Sequence, residues 1–158
     1  MIDEEKYLKI EGRNGIKIYF DCKNPDLLLE DKSLFGMSDK EIKQAVKKPF
    51  VVSDKFFVLV DYENKYCGFT IPKGYEWNGA NVPSFAWLLI GQQKEPRFKL
   101  ASCVHDFICE HHNVVANNRY LSTLIFETLC QHFGGFGEVK RAVMFNCVDN
   151  YQKLFGRW

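Results

Sequence analysis

Hydrophobic and polar positions change their period about halfway along the chain. In the first half Ile16, Ile18 and Phe20 alternate with Lys17 and Tyr19, the two-residue period of a half-buried strand. Phe56–Val60 (FFVLV) is a continuous β-rich run of the kind that fills an interior strand, and Tyr66–Ile71 gives a further strand, ended by Pro72-Lys-Gly74. Tyr62-Glu-Asn-Lys65 between these two runs predicts a hairpin turn. One helix interrupts this half: Ser38-Asp-Lys-Glu41 is a capping-box pattern, followed by Ile42 and Val46 one turn apart.

The second half follows the helical period. Pro83 can open a short apolar helix through Ile90, closed by Gly91, and Pro96 opens the next. Asn117 or Asn118 can cap a third, in which Leu121, Ser122, Ile125, Phe126 and Leu129 share a face; Gly134-Gly135 breaks it. A fourth carries Val139, Val143, Cys147, Tyr151 and Leu154 on one stripe. There is no internal repeat and no linker, so the pattern predicts a single α+β domain over residues 1–158. A small antiparallel sheet in the N-terminal half is followed by a cluster of about four helices. Residues 1–65 are mostly β with one helix; residues 66–158 hold a strand, a loop and the helical part.

Composition narrows the function classes. The chain has 158 residues, 46% hydrophobic and 15% aromatic, which suits a globular domain able to bury its own core. A net charge of +1 supplies no global field for nucleic acid or a membrane surface, although Lys40, Lys43, Lys47 and Lys48 gather on one predicted helix. A lysine-rich helix is more simply a solvated face than a nucleic-acid surface. The apolar runs are far too short to span a bilayer, and the acidic start Met1-Ile-Asp-Glu-Glu is unlike a secretory signal. The six cysteines form no C-x-x-C pair, which favours reduced, buried thiols over a disulfide framework.

Candidate chemistry is concentrated in two segments. Residues 103–112, CVHDFICEHH, hold three of the four histidines, two of the six cysteines and two carboxylates. At about 100° per residue Leu100, Val104, Phe107 and His111 share the apolar face of a helix and Lys99, Asp106 and Glu110 the polar face. His105, Cys109 and His112 then fall on the border, where a histidine can face a cleft. His105 is the candidate general base, and Asp106 the candidate second group. Their side chains leave the helix about 100° apart, so a third group must complete any site. The structural alternative is a singly hydrogen-bonded His105, a solvated Asp106 and a core His111. A zincin is excluded because His105 is followed by Asp and the next histidine is six residues away. The zinc-deaminase pattern lacks its Cys-x-x-Cys. No residue is assigned as a metal ligand, and the cofactor is left open. The second segment, IPKGYEWNGANVPSFAW at 71–87, is turn-rich and aromatic. Its Asn78, Asn81, Trp77 and Trp87 are candidate binding residues, able to line a pocket or to lock the loop onto the helices.

The order of these features, IPKGYEWNGANVPSFAW, then CVHDFICEHH, NNRYLSTLIFETL and a last helix ending LFGRW, resembles the family catalogued as domain of unknown function 1353. The resemblance covers roughly residues 66–158. Gly74, Gly79, Ala80, Pro83, Trp87, His105, Asp106, Arg119 and Phe126 match its pattern, which adds Arg119 to the candidate binding residues. Two positions depart from it: Asn78 and Thr123 stand where the family pattern has Asp. An amide and a hydroxyl hydrogen-bond but do not neutralise a divalent cation as carboxylates do. The resemblance implies a phage or prophage protein, in the host cytoplasm or the virion. The departures favour an accessory, protein-binding role with a phage or host partner. A small hydrolase using His105 and Asp106, with or without a metal, is the competing reading.

Overall fold

The computed structural model describes residues 5–78, 98–134 and 137–155, of which Leu154 and Phe155 are described as backbone only. The predicted helix at 83–90, the helix start at Pro96, Asn81 and Trp87 lie outside the described residues.

The N-terminal strands build two antiparallel sheets. Strands β1 (Leu8–Glu11), β2 (Lys17–Phe20), β5 (Phe56–Tyr62) and β6 (Lys65–Ile71) form one sheet in the order β1-β2-β5-β6. Alternation along each strand sets a continuous apolar face. Ile10 pairs with Ile18, Ile18 with Val60, Phe20 with Val58, Val58 with Phe69 and Phe56 with Ile71. All of these are buried, each worth about 1.5–3 kcal/mol of burial. The FFVLV run is an interior strand of this sheet, as its unbroken apolarity predicts. The hairpin between β5 and β6 turns on Glu63 and Asn64, both with positive φ (51° and 60°), as a two-residue hairpin of matching twist requires.

The second sheet is made of short strands: β3 (Leu29–Asp31), β4 (Phe50–Val52) and β7 (Glu76–Trp77), in the order β3-β4-β7. Between β3 and β4 lies helix α1 (Asp39–Ala45), whose start carries both halves of the predicted capping box. The Glu41 N–H donates to Ser38 Oγ, and the Ser38 N–H donates to Glu41 Oε2.

Among the described residues three further α-helices follow: α2 (Lys99–Glu110), α3 (Arg119–Gly134) and α4 (Glu138–Phe155). Asn118 caps α3 by accepting from the Leu121 N–H at 3.0 Å. Every residue from Leu100 to Ile108 of α2 is buried, so α2 is the central helix and has no polar face over that span. α3 crosses the end of β1 so closely that a Cβ on Gly12 would lie 2.4 Å from Thr128 Oγ1; only glycine admits that approach.

Two predicted helix faces are corrected. On α4 the buried positions are Met144, Val148, Asp149 and Gln152, while Val139 is 80% exposed. The inward stripe is therefore 144-148-152, and the apolar row 143-147-151 is its half-buried shoulder. On α2 His111 is not a core residue. It ends the helix with φ −136° and ψ 63°, and its exposed ring stacks on Phe107 with centroids 4.3 Å apart.

Candidate functional site

Burial of α2 on all sides from Leu100 to Ile108 changes what its His-Asp doublet can be. His105 is 5% exposed and Asp106 8%, so neither lies on a border or in solvent. Consecutive residues point to different neighbours, and the two side chains enter different surroundings.

His105 points into the helical wall. Its ring lies 4.9 Å from the Phe126 ring of α3. Its Nε2 faces the Gln152 side-chain amide of α4 at 3.2 Å. That N–H donates to a lone pair, which requires the neutral imidazole with its proton on Nδ1. The Gln152 carbonyl oxygen lies 3.1 Å from the Thr123 hydroxyl, which is also 3.2 Å from the Arg119 carbonyl of the preceding turn. The Cys109 thiol sits against the same ring, 3.8 Å from Nδ1 and 3.7 Å from Nε2. Burial lowers the His105 pKa to about 4, because a charged imidazolium would have to shed its water. Burial, with the negative charges of Asp106 and Glu110, pushes the Cys109 thiol up to about 12. Cys109 is therefore a thiol near neutrality, neither a nucleophile nor a thiolate ligand.

Asp106 leaves the helix about 100° away, within electrostatic range of Glu110, Lys48, Tyr75, Cys103 and Cys109. Burial first, and then the Glu110 charge, raise its carboxyl to about 8, with Lys48 pulling it down. Asp106 is mostly the neutral acid at pH 7. The Tyr75 hydroxyl, buried on this side, is pushed upward by burial and the same carboxylates; its ring meets Phe107 edge-on at 5.3 Å.

The remaining candidates separate in the same way. Trp77 is 1% exposed; its indole N–H donates to Ser102 Oγ at 3.0 Å and its ring packs on Phe50 at 5.4 Å, so it pins β7 to α2. Asn78 follows it, half-buried. The Arg119 guanidinium is bound by the carboxylate and the backbone carbonyl of Asp149 on α4, and Lys153 reaches the second carboxylate oxygen at 2.9 Å. Burial pushes Asp149 up, but the hydrogen bonds from Lys153 and Arg119 outweigh it and hold the carboxyl below its usual range. His105 and Arg119 are thus joined through Gln152, Thr123 and the facing turns of α3 and α4.

Sequence reasoning missed several buried polar groups, Gln152 and Glu127 among them. Gln152 continues the Met144-Val148 row at four-residue spacing, a signal hidden by its polarity. Glu127, 1% exposed, accepts from Arg13 Nε at 2.8 Å and pairs with Arg141, and Arg13 in turn covers the Phe145 ring at 4.6 Å. No sequence signal linked residues 114 apart. All six cysteines are unpaired. Among the described residues no group of three or more His, Cys, Asp or Glu is placed to hold a metal ion, and no helix is long and apolar enough to cross a membrane.

The class is therefore an α+β domain in which antiparallel strands precede a helical cluster and a helix-borne His-Asp doublet lies buried at the centre. Within that class the chain belongs to the family described as protein of unknown function (DUF1353), whose model matches residues 52–148, more than half of the chain. No curated protein and no solved structure matches it.

Proposed function

We propose that this chain is a non-enzymatic accessory protein of phage type, working by binding another protein in the host cytoplasm or the virion, with His105 as a structural hub. The observation that carries this reading is the closed setting of His105: a neutral ring held by Gln152, Phe126 and Cys109, in contact with three core helices. Thr123, which replaces the carboxylate of the family pattern, supports it, because the hydroxyl completes an uncharged network around the ring. A general base needs access to substrate and a pKa near the working pH; His105 has 5% exposure and a pKa of about 4. The test pairs two measurements on the purified chain. His105→Ala is expected to lower the melting temperature while leaving capture of a phage or host partner intact at a temperature where the variant is folded. Stoichiometric metal by elemental analysis, or loss of a hydrolytic activity in a folded His105→Gln variant, contradicts it.

The hydrolase reading keeps one supporting observation. Asp106, raised to about 8, is a carboxyl poised to exchange a proton near neutrality, a property common at catalytic sites. Asp106→Asn abolishing turnover of an ester or phosphoester substrate without loss of fold supports it over the first reading.

A further inference from the structure

The four-stranded sheet ends on β6, which has β5 on one side and no described strand on the other. Which backbone groups face that open side follows from the hairpin. The two-residue turn on Glu63 and Asn64 makes Tyr62 and Lys65 a hydrogen-bonded pair, and every second pair after it repeats the pattern. Lys65, Cys67, Phe69 and Ile71 therefore bond to β5, while the N–H and C=O groups of Tyr66, Gly68 and Thr70 point away from it. Phe57 fits this phase: opposite Thr70 in register, it turns its backbone to β2, where its carbonyl accepts from the Asp21 N–H at 3.2 Å. Tyr66, Gly68 and Thr70 are all exposed, and their outward backbone groups have no partner among the described residues.

Proteins blunt such an edge with a proline, a bulge, a charge in mid-strand or a very short strand. β6 has none of these. It runs seven residues in unbroken register with β5, and its one charge, Lys65, sits at its end. The opposite edge of the sheet differs. β1 has four residues, carries the Lys9–Glu11 ion pair and is crossed at its end by α3.

We propose that β6 pairs with β6 of a second copy of this chain, antiparallel and centred on Gly68, joining two four-stranded sheets into one. In that register Tyr66 faces Thr70 of the second copy, Gly68 faces Gly68 and Thr70 faces Tyr66. All three outward residues pair at once, as a self-complementary two-fold interface requires. The side chains agree with it. Outer-face residues meet outer-face residues, and Tyr66, 67% exposed, gains a β-branched neighbour across the ladder. At the axis no side chain obstructs the approach; the Phe57 ring already fills the space above Gly68, where a Cβ would lie 2.7 Å from its Cζ. Charge agrees as well. Lys65 faces Ile71, and the two Lys65 positions lie about 20 Å apart along the ladder, so no like charges oppose each other. A second copy is favoured over an extended peptide because β6 is already held straight by β5, whereas a free peptide must lose its chain entropy to become a strand. The pairing is independent of the partner-binding reading.

Sedimentation equilibrium of the full chain from micromolar to millimolar, with amide hydrogen exchange at both ends of that range, tests the pairing. A reversible monomer–dimer equilibrium is expected. The Tyr66, Gly68 and Thr70 amides should exchange at least ten-fold more slowly in the dimer, while those of Cys67 and Phe69 are protected at every concentration. Thr70→Pro removes an outward N–H without touching the β5 ladder and should weaken dimerisation at least ten-fold. Tyr66→Lys/Thr70→Lys, which sets lysines opposite one another across the axis, should do the same. Melting temperatures near the parent's, taken at micromolar concentration, show that the variants fold. A chain that stays monomeric at millimolar concentration, or a dimer in which the three amides exchange as fast as in the monomer, overturns the proposal. So do folded variants that dimerise as tightly as the parent.

Discussion

His105 and Asp106 are neighbours in sequence and in burial, yet they leave their helix about 100° apart and enter different surroundings. His105 faces α3 and α4, and its contacts among the described residues are uncharged: an amide, a phenyl ring and the thiol of its own helix. Asp106 faces the side of Tyr75, Glu110 and Lys48, where charge remains. Desolvation acts on both and drives each toward its neutral form, which means a lowered pKa for the base and a raised one for the acid. A doublet that resembles an acid–base pair is therefore two separate neutral groups at pH 7, and the difference between them lies in how each could be recharged. His105 would need water brought into the helical wall. Asp106 needs only a rise of about one pH unit.

The largest effect is expected from removing His105. His105→Ala deletes a buried ring and leaves the Gln152 amide without its acceptor; the expected loss is about 2–4 kcal/mol in urea unfolding. An unchanged midpoint would show that the ring is not a hub. Removing the partner is milder: Gln152→Met is expected to cost roughly 1–3 kcal/mol, because His105 Nε2 loses its donor. Since the two groups share one interaction, the double variant should cost less than the sum of the single ones.

pH separates the two groups, because they act on stability with opposite sign. The unfolded imidazole binds a proton below about 6.5 and the folded one only near 4, so His105 makes stability rise with pH across that window and plateau above it. The unfolded carboxyl ionises near 3.8 and the folded one near 8, so Asp106 makes stability fall as pH rises from 3.8 to 8. The two slopes offset between about 4 and 6.5. Above 6.5 Asp106 acts alone and its contribution falls by about 2 kcal/mol by pH 8. Comparing Asp106→Asn with the parent in urea melts at pH 5, 6.5 and 8 isolates this contribution, and parallel profiles would contradict it. The smallest effect belongs to Lys48, which faces Glu110 at 3.8 Å with both side chains about half exposed. Lys48→Ala should change stability by less than about 0.5 kcal/mol and move the Asp106 titration further upward.

What could be read in advance follows the range of the interactions. The β5–β6 hairpin, the Ser38-Glu41 box and the Asn118 cap are local, and their residues carried the signal. The order of motifs around His105 pointed to the family that the chain belongs to. The second sheet escaped because β3, β4 and β7 are two or three residues long, too short for a period to register. Burial of α2 on all sides escaped because a helical wheel shows amphipathicity, and a helix wrapped by neighbours has little use for it. Gln152 and Glu127 escaped for a related reason. Their partners are 47 and 114 residues away, and a polar residue on an inward row looks like a break in the row.

The hub role of His105 stands on its being sealed and neutral. NMR of the histidine ring protons from pH 3.5 to 8, with His105 assigned by substitution, tests it most directly. His105 is expected to hold the neutral Nδ1–H tautomer through the physiological range and to begin protonating only near pH 4, as the fold weakens. A reversible His105 titration between pH 6 and 7 in the folded protein would contradict the account, because it would place the ring in reach of water and of substrate.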